Sequence, residues 1–134
     1  MKLDEQNIEK YRSDSEYVKK VLLQIQKDFS HYGDEIHVDS SELTWQKLFD
    51  QLQMLLLRWI ESDFNQLLTV LYRVDISEKE LKKNMLSSEY DSSELIAELI
   101  MKRELQKVLL REHFSREFSA NQVENRSVSE LKKG

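Results

Sequence analysis

Apolar side chains recur three or four positions apart along most of the chain, which is the spacing of one face of an α-helix. The first stripe predicts a helix from Ser13 to Tyr32 that ends at Gly33. The second begins near Ser40 and is wide enough that its helix should be buried on most sides. The chain has only two glycines and no proline, so it offers few of the turns on which hairpins depend. We therefore predict an all-α fold, a compact bundle of four to five helices.

A single domain is expected, because 134 residues is an ordinary domain size. The helical pattern is confined to 13–118. Both ends are largely polar, so we expect 1–12 to be frayed and 119–134 to be a flexible tail.

One acidic residue predicts a break in the second helix. Asp63 would lie in the middle of the apolar stripe if the helix continued straight past Ile60. Because an unpaired buried carboxylate is costly, we expect the helix to stop at Glu61–Asp63. Ser62 would then cap a new helix.

Three segments carry the pattern of a capping box. In this motif the side chain of the residue before the helix accepts a hydrogen bond from the backbone N–H three positions later, and the side chain of that later residue accepts one from the first residue's backbone N–H. Ser77 with Glu80 predicts the start of a fourth helix. The same spacing predicts the starts of the second and last helices, at Asp39 with Glu42 and at Asp91 with Glu94.

The last helix carries apolar residues on two faces. We assign Leu99 and Ile100, on the first face, to the core. Arg103 lies in line with them and needs a carboxylate partner, for which Asp63 and Asp75 are the candidates. The second face lies roughly opposite and comprises Met101, Leu105, Val108 and Leu109.

Two interpretations of this second face are open. In one, the helix is buried on both sides within one monomer. In the other, the second face binds a partner, most simply another copy of the chain.

Composition narrows the function classes. The net charge of −5 argues against nucleic acid or an anionic membrane as partner. The chain has no cysteine, which excludes disulfides and thiol chemistry. Its longest apolar run is four residues, far short of a membrane span. We expect a cytoplasmic protein that does not associate with membranes.

No pattern of catalytic or cofactor-binding residues is present. Two glycines cannot form a phosphate-binding loop or a dinucleotide fingerprint. Asp28 precedes His31 by three positions, as Asp34 precedes His37, which is a spacing that can chelate a metal on a helix. Gly33 interrupts the helix between the two pairs, so we expect no metal, no cofactor and no enzymatic activity.

The interpretation we favour is a non-enzymatic helical protein–protein interaction or regulatory module, homodimeric through its last helix. The alternative is a helix-turn-helix-like DNA-binding regulator. Its recognition helix would offer Lys102, Arg103, Gln106, Lys107 and Arg111. Interleaved glutamates and the acidic net charge make nucleic acid the less favoured partner.

Two segments, 71–78 and 94–100, resemble small uncharacterised helical proteins of Bacteroidota-type bacteria. The resemblance implies a bacterial source and an all-helical fold. It implies no activity and no functional residues.

Overall fold

The computed structural model describes residues 5–36, 38–39, 41–84 and 89–133. Over these residues the chain forms six α-helices and one 3₁₀ helix, without a strand, which confirms the all-α prediction with more helices than expected. They are α1 (Glu5–Arg12), α2 (Ser15–Asp28), the 3₁₀ helix Ser30–Glu35, α3 (Trp45–Ser62), α4 (Phe64–Val74), α5 (Glu78–Asn84) and α6 (Glu89–Lys133).

The central helix of the bundle is α6. It packs against α2, α3, α4 and α5. Every residue from Leu95 to Leu110 is buried or partly buried. We expected the second helix to hold this position, but α3 keeps an exposed side that includes Asp50, Met54 and Arg58. The apolar residues on both faces of α6 are explained by this central place, because neighbours cover the helix from several directions.

Helical structure extends beyond 13–118 at both ends of the described chain. Helix α1 forms where we expected fraying, and its Ile8 is buried. At the other end α6 continues as helix to Lys133, across the segment predicted to be a flexible tail.

The first predicted helix is divided in two. It begins at Ser15, because the Asp14 side chain accepts a hydrogen bond from the backbone N–H of Glu16 and caps α2. It ends at Asp28, and the chain then continues as the 3₁₀ helix through Gly33, where we expected a stop.

The break between α3 and α4 is confirmed. Helix α3 ends at Ser62 and α4 begins at Phe64. The cap is Asp63 itself, whose Oδ1 accepts from the backbone N–H of Gln66 at 3.2 Å. Ser62 was the wrong residue for this role, since its hydroxyl donates to the Arg58 carbonyl oxygen of the preceding turn.

The start of α5 is also confirmed. The Ser77 hydroxyl oxygen accepts a hydrogen bond from the backbone N–H of Glu80 at 3.1 Å. Just before it, Asp75 ends α4 in the left-handed conformation, with φ of 73°. The backbone N–H of Ile76 then reaches back to the Leu71 carbonyl at 2.9 Å, which is the long bond of a Schellman motif.

The other two capping boxes are wrong. Thr44 caps α3 by accepting from the Lys47 N–H at 3.2 Å, and Asp39 lies in the turn before it. At α6 the helix begins at Glu89, so Asp91 lies within the first turn.

Candidate functional site

The second face of α6 belongs to the core. Met101, Leu105, Val108 and Leu109 are at most 5% exposed. The predicted partner-binding face is therefore wrong, because its side chains already pack against other helices of the same monomer. Leu99, which we assigned to the core, is only partly buried.

The predicted partner of Arg103 is confirmed as Asp75. The guanidinium Nη2 lies 2.8 Å from Asp75 Oδ2, and Nη1 donates to Gln106 Oε1 at 2.9 Å. Asp63, the other candidate, is an exposed cap at the α3–α4 junction. This ion pair joins the end of α4 to α6.

Sequence reasoning missed a buried acid, Glu104. Its side chain is 0% exposed, and neither of its carboxyl oxygens has a hydrogen-bond partner in the described part of the chain. A signal was available, because Glu104 lies three positions after Met101 and four before Val108, on the same apolar face.

Two charged residues surround Glu104 and form with it the carboxyl cluster (Asp28, Glu104 and Lys107). Lys107 Nζ lies 2.8 Å from Asp28 Oδ2 at the end of α2 and 3.8 Å from Glu104 Oε1. The same ammonium donates to the Arg73 carbonyl oxygen at 3.0 Å, near the end of α4. The Lys107 ammonium group thus lies near two carboxyl groups and also donates a hydrogen bond to the C-terminal turn of α4.

The two carboxyl groups differ in their pKa values. Burial raises the pKa of Glu104 to about 9, and the neighbouring Asp28 adds to this shift against the opposing effect of Lys107. Burial alone would also raise the pKa of Asp28, but its interactions with Glu104, Lys107 and Gln24 outweigh this effect and hold that pKa below its usual value. At neutral pH Glu104 is therefore the neutral acid and Asp28 the carboxylate.

Beside the cluster, α2 and α6 line a groove of about 360 Å³, called here the α2–α6 groove. Its lining residues are Lys20, Leu23, Gln24, Lys27, Val108, Arg111 and Glu112. Leu23 is 55% exposed, which is unusual for a leucine in this bundle. Gln24 connects the groove to the cluster, because its amide donates to Asp28 at 3.1 Å and its oxygen accepts from Arg111.

The groove is basic although the protein is acidic. Three cationic side chains and one carboxylate line it, against a net charge of −5 for the chain. The carboxylate, Glu112, is already occupied by Lys20 Nζ at 2.5 Å and by the Tyr17 hydroxyl at 2.9 Å. Burial alone would raise the pKa of Glu112, but these hydrogen bonds lower it. The charges of Lys27 and Arg111 are left without an ion-pair partner among the described residues.

Three basic residues of the proposed recognition helix are held in ion pairs within the chain, whereas Arg111 is exposed and bonds Gln24. Lys102 pairs with Glu98 at 3.5 Å, while Arg103 and Lys107 hold the carboxylates described above. These side chains would have to leave their partners to reach a DNA phosphate. The arrangement does not favour the helix-turn-helix alternative.

In the described part of the chain, no group of three or more histidine, cysteine, aspartate or glutamate side chains is close enough to hold a metal ion. The side chains of His31, Asp34 and His37 lie outside the described residues, and Asp28 pairs with Lys107. Among the described helices, none has the length and apolarity needed to cross a bilayer.

Comparison of the chain with protein-family models, curated proteins and solved structures found no match. The resemblance of 71–78 and 94–100 to helical proteins of Bacteroidota-type bacteria therefore stays a prediction.

Proposed function

We propose that this chain is a non-enzymatic protein-interaction module, and that the α2–α6 groove is its docking surface. The observation that carries the proposal is the exposed Leu23 set among three cationic side chains in an acidic protein. A single exposed leucine means little. Leu23, however, lines a concave surface together with Val108, the one residue of the predicted interface that reaches this groove. The cytoplasmic localisation expected from the sequence is part of this proposal.

The partner that fits the groove is an amphipathic helix of another protein with acidic residues beside an apolar anchor. An apolar side chain would cover Leu23 and the edge of Val108, as in helix-in-groove recognition. Its carboxylates would pair with Lys27 and Arg111, whose charges no described carboxylate neutralises. Arg111 is oriented for this by its hydrogen bond to Gln24.

Two other occupants fit less well. A second copy of the chain is acidic overall, with a net charge of −5. However, the second face of α6, through which dimerisation was predicted, is buried and is not available for contact. A nucleic acid would find the Glu112 carboxylate and an apolar leucine among the residues that line the groove.

The test uses synthetic helical peptides of about 18 residues, long enough to form a helix on the surface. One peptide carries a leucine stripe flanked by glutamates, and the other has lysines in place of the glutamates. We expect the acidic peptide to bind in fluorescence anisotropy, more weakly as salt is raised. Leu23→Glu should reduce its affinity at least about tenfold, since the change removes the apolar contact and adds a like charge. Met54→Glu is the matched control, because Met54 is 58% exposed on α3.

Each other outcome contradicts a stated part of the proposal. Equal binding of both peptides would show that the acidic partner is wrong. Binding of neither would remove the groove as a docking surface. Self-association in sedimentation that Leu23→Glu abolishes would make a second copy the occupant. Displacement of the acidic peptide by a DNA duplex would favour the nucleic-acid class.

A further inference from the structure

The carboxyl cluster holds two acids and one ammonium group out of water. The side chains of Asp28, Glu104 and Lys107 are 13%, 0% and 19% exposed. One cation cannot compensate the desolvation of two carboxylates. The cluster is therefore neutral only when it also holds one proton.

The hydrogen bonds place that proton on Glu104. Asp28 Oδ2 accepts from Lys107 at 2.8 Å and from Gln24 at 3.1 Å, as an ionised carboxylate does. No described group donates a hydrogen bond to Glu104, so an ionised Glu104 would be a buried anion without a donor among these residues. A protonated Glu104 instead becomes a donor and can bond Asp28.

The other charges near the cluster do not replace the proton. Arg103 on α6 is engaged by Asp75 of α4 at 2.8 Å. Arg73 reaches the cluster through its carbonyl oxygen, which accepts from Lys107. The buried side chains of α3 are apolar except Gln53, which bonds Ser93 in another part of the bundle.

We propose that the proton of Glu104 is a lock between α6 and α2, and that loss of this proton opens the contact between the two helices. Without it, two carboxylates would face each other from α2 and α6 with one ammonium to share. The walls of the groove belong to the same helices, and Gln24 bonds both Asp28 and Arg111. Opening would therefore widen the groove. The lock stands whether or not the groove binds a partner.

The first measurement asks where the proton is. In the unmodified protein with ¹³C-labelled glutamate side chains, we expect one carboxyl resonance to remain at the position of a neutral acid at pH 7. That resonance should be absent from the Glu104→Gln variant. The lock is overturned if every glutamate carboxyl of the folded protein is already ionised at pH 7.

The second measurement follows stability with pH. The pKa of Glu104 rises on folding from 4.5 to about 9, so the folded state binds a proton that the unfolded chain releases in this range. The stabilisation that the Glu104 proton contributes is fully present below pH 4.5 and decreases as the pH rises toward 9.

The variant Glu104→Gln has no such proton to lose. Between pH 4.5 and about 9, the unfolding equilibrium constant of the unmodified protein should rise about tenfold per pH unit relative to that of Glu104→Gln. Glu98→Gln is the matched control and should behave as the unmodified protein, because Glu98 forms a nearly half-exposed ion pair with Lys102 on α6. Parallel pH profiles for Glu104→Gln and the unmodified protein would overturn the lock.

The third measurement detects the opening itself. Because the chain has no cysteine, spin labels can be attached through Lys19→Cys on α2 and Ser115→Cys on α6, both exposed positions. We expect the distance distribution to widen between pH 7 and pH 10, above the pKa of about 9 for Glu104. It should stay unchanged when Glu104→Gln is added. An unchanged distribution in the labelled protein with Glu104 present would show that deprotonation does not open the contact.

Discussion

Asp63 and Glu104 are both acidic residues that fall on an apolar stripe, and the chain accommodates them in opposite ways. At Asp63 the helix ends, and the exposed carboxylate caps the next helix through the Gln66 N–H. At Glu104 the helix continues unbroken and the carboxyl group is 0% exposed. One acid leaves the core at a helix break, and the other stays in the core by keeping its proton.

The difference follows from where each acid lies in the bundle. Asp63 is at the surface, where a break leaves the backbone groups of two helix ends to water and to caps. Glu104 is in the middle of α6, which packs against four other helices. A break there would bury several unpaired backbone groups, at about 1–3 kcal/mol each. Holding a proton on Glu104 at pH 7 costs roughly 3 kcal/mol, because its ordinary pKa is 4.5.

The largest expected effect comes from placing a second acid beside Glu104 without a partner. Leu105 is 0% exposed, so Leu105→Glu should cost more than about 4 kcal/mol and leave the chain largely unfolded. Circular dichroism and thermal melting measure this. Leu23→Glu, at an exposed position, should melt close to the unmodified protein. A folded Leu105→Glu that has lost self-association would restore the second face of α6 as an interface.

Removing the cation of the carboxyl cluster should have the next largest effect. Lys107→Met leaves Asp28 without its ammonium and should cost about 2–5 kcal/mol at pH 7. Folding lowers the pKa of Asp28 below its ordinary value of 3.8. The Asp28–Lys107 ion pair therefore stabilises the fold at pH values above 3.8, and this stabilisation is lost as the pH falls below that value. The deficit of the variant in urea denaturation should therefore shrink in acid.

Lys102→Met is the control for this experiment. Its partner Glu98 is nearly half exposed, so the loss should stay under about 1 kcal/mol at any pH. Equal losses for the two lysines would mean that the cluster is no more than a surface ion pair.

The parts of the fold that depend on a few neighbouring residues could be predicted from the sequence. The break at Asp63 and the cap at Ser77 are both local, and both are confirmed. Local patterns also mislead, because Asp39 makes the bonds of a turn and the helix starts only after Thr44. A capping pattern indicates that some backbone N–H groups will be capped, and does not say whether the chain then continues as helix.

The candidate site could not be predicted in the same way. Whether Glu104 stays buried depends on Asp28, which lies far away in the sequence and meets it only when α2 packs on α6. The groove likewise exists only because Leu23 on α2 and Val108 on α6 come to line the same concave surface. Periodicity showed that α6 has two apolar faces, but not which neighbours cover them.

The smallest expected effect tests the exposed member of the pair. Asp63→Ala removes the side-chain acceptor for the Gln66 N–H and should cost about 1 kcal/mol, the usual loss of an N-cap. Asp63→Asn keeps an acceptor oxygen and should recover most of that loss in urea denaturation. Neither change should alter how stability varies between pH 5 and 9, since this dependence is assigned to Glu104. If Asp63→Ala abolished the pH dependence, the titrating group would lie at the α3–α4 junction, and the contrast between the two acids would be wrong.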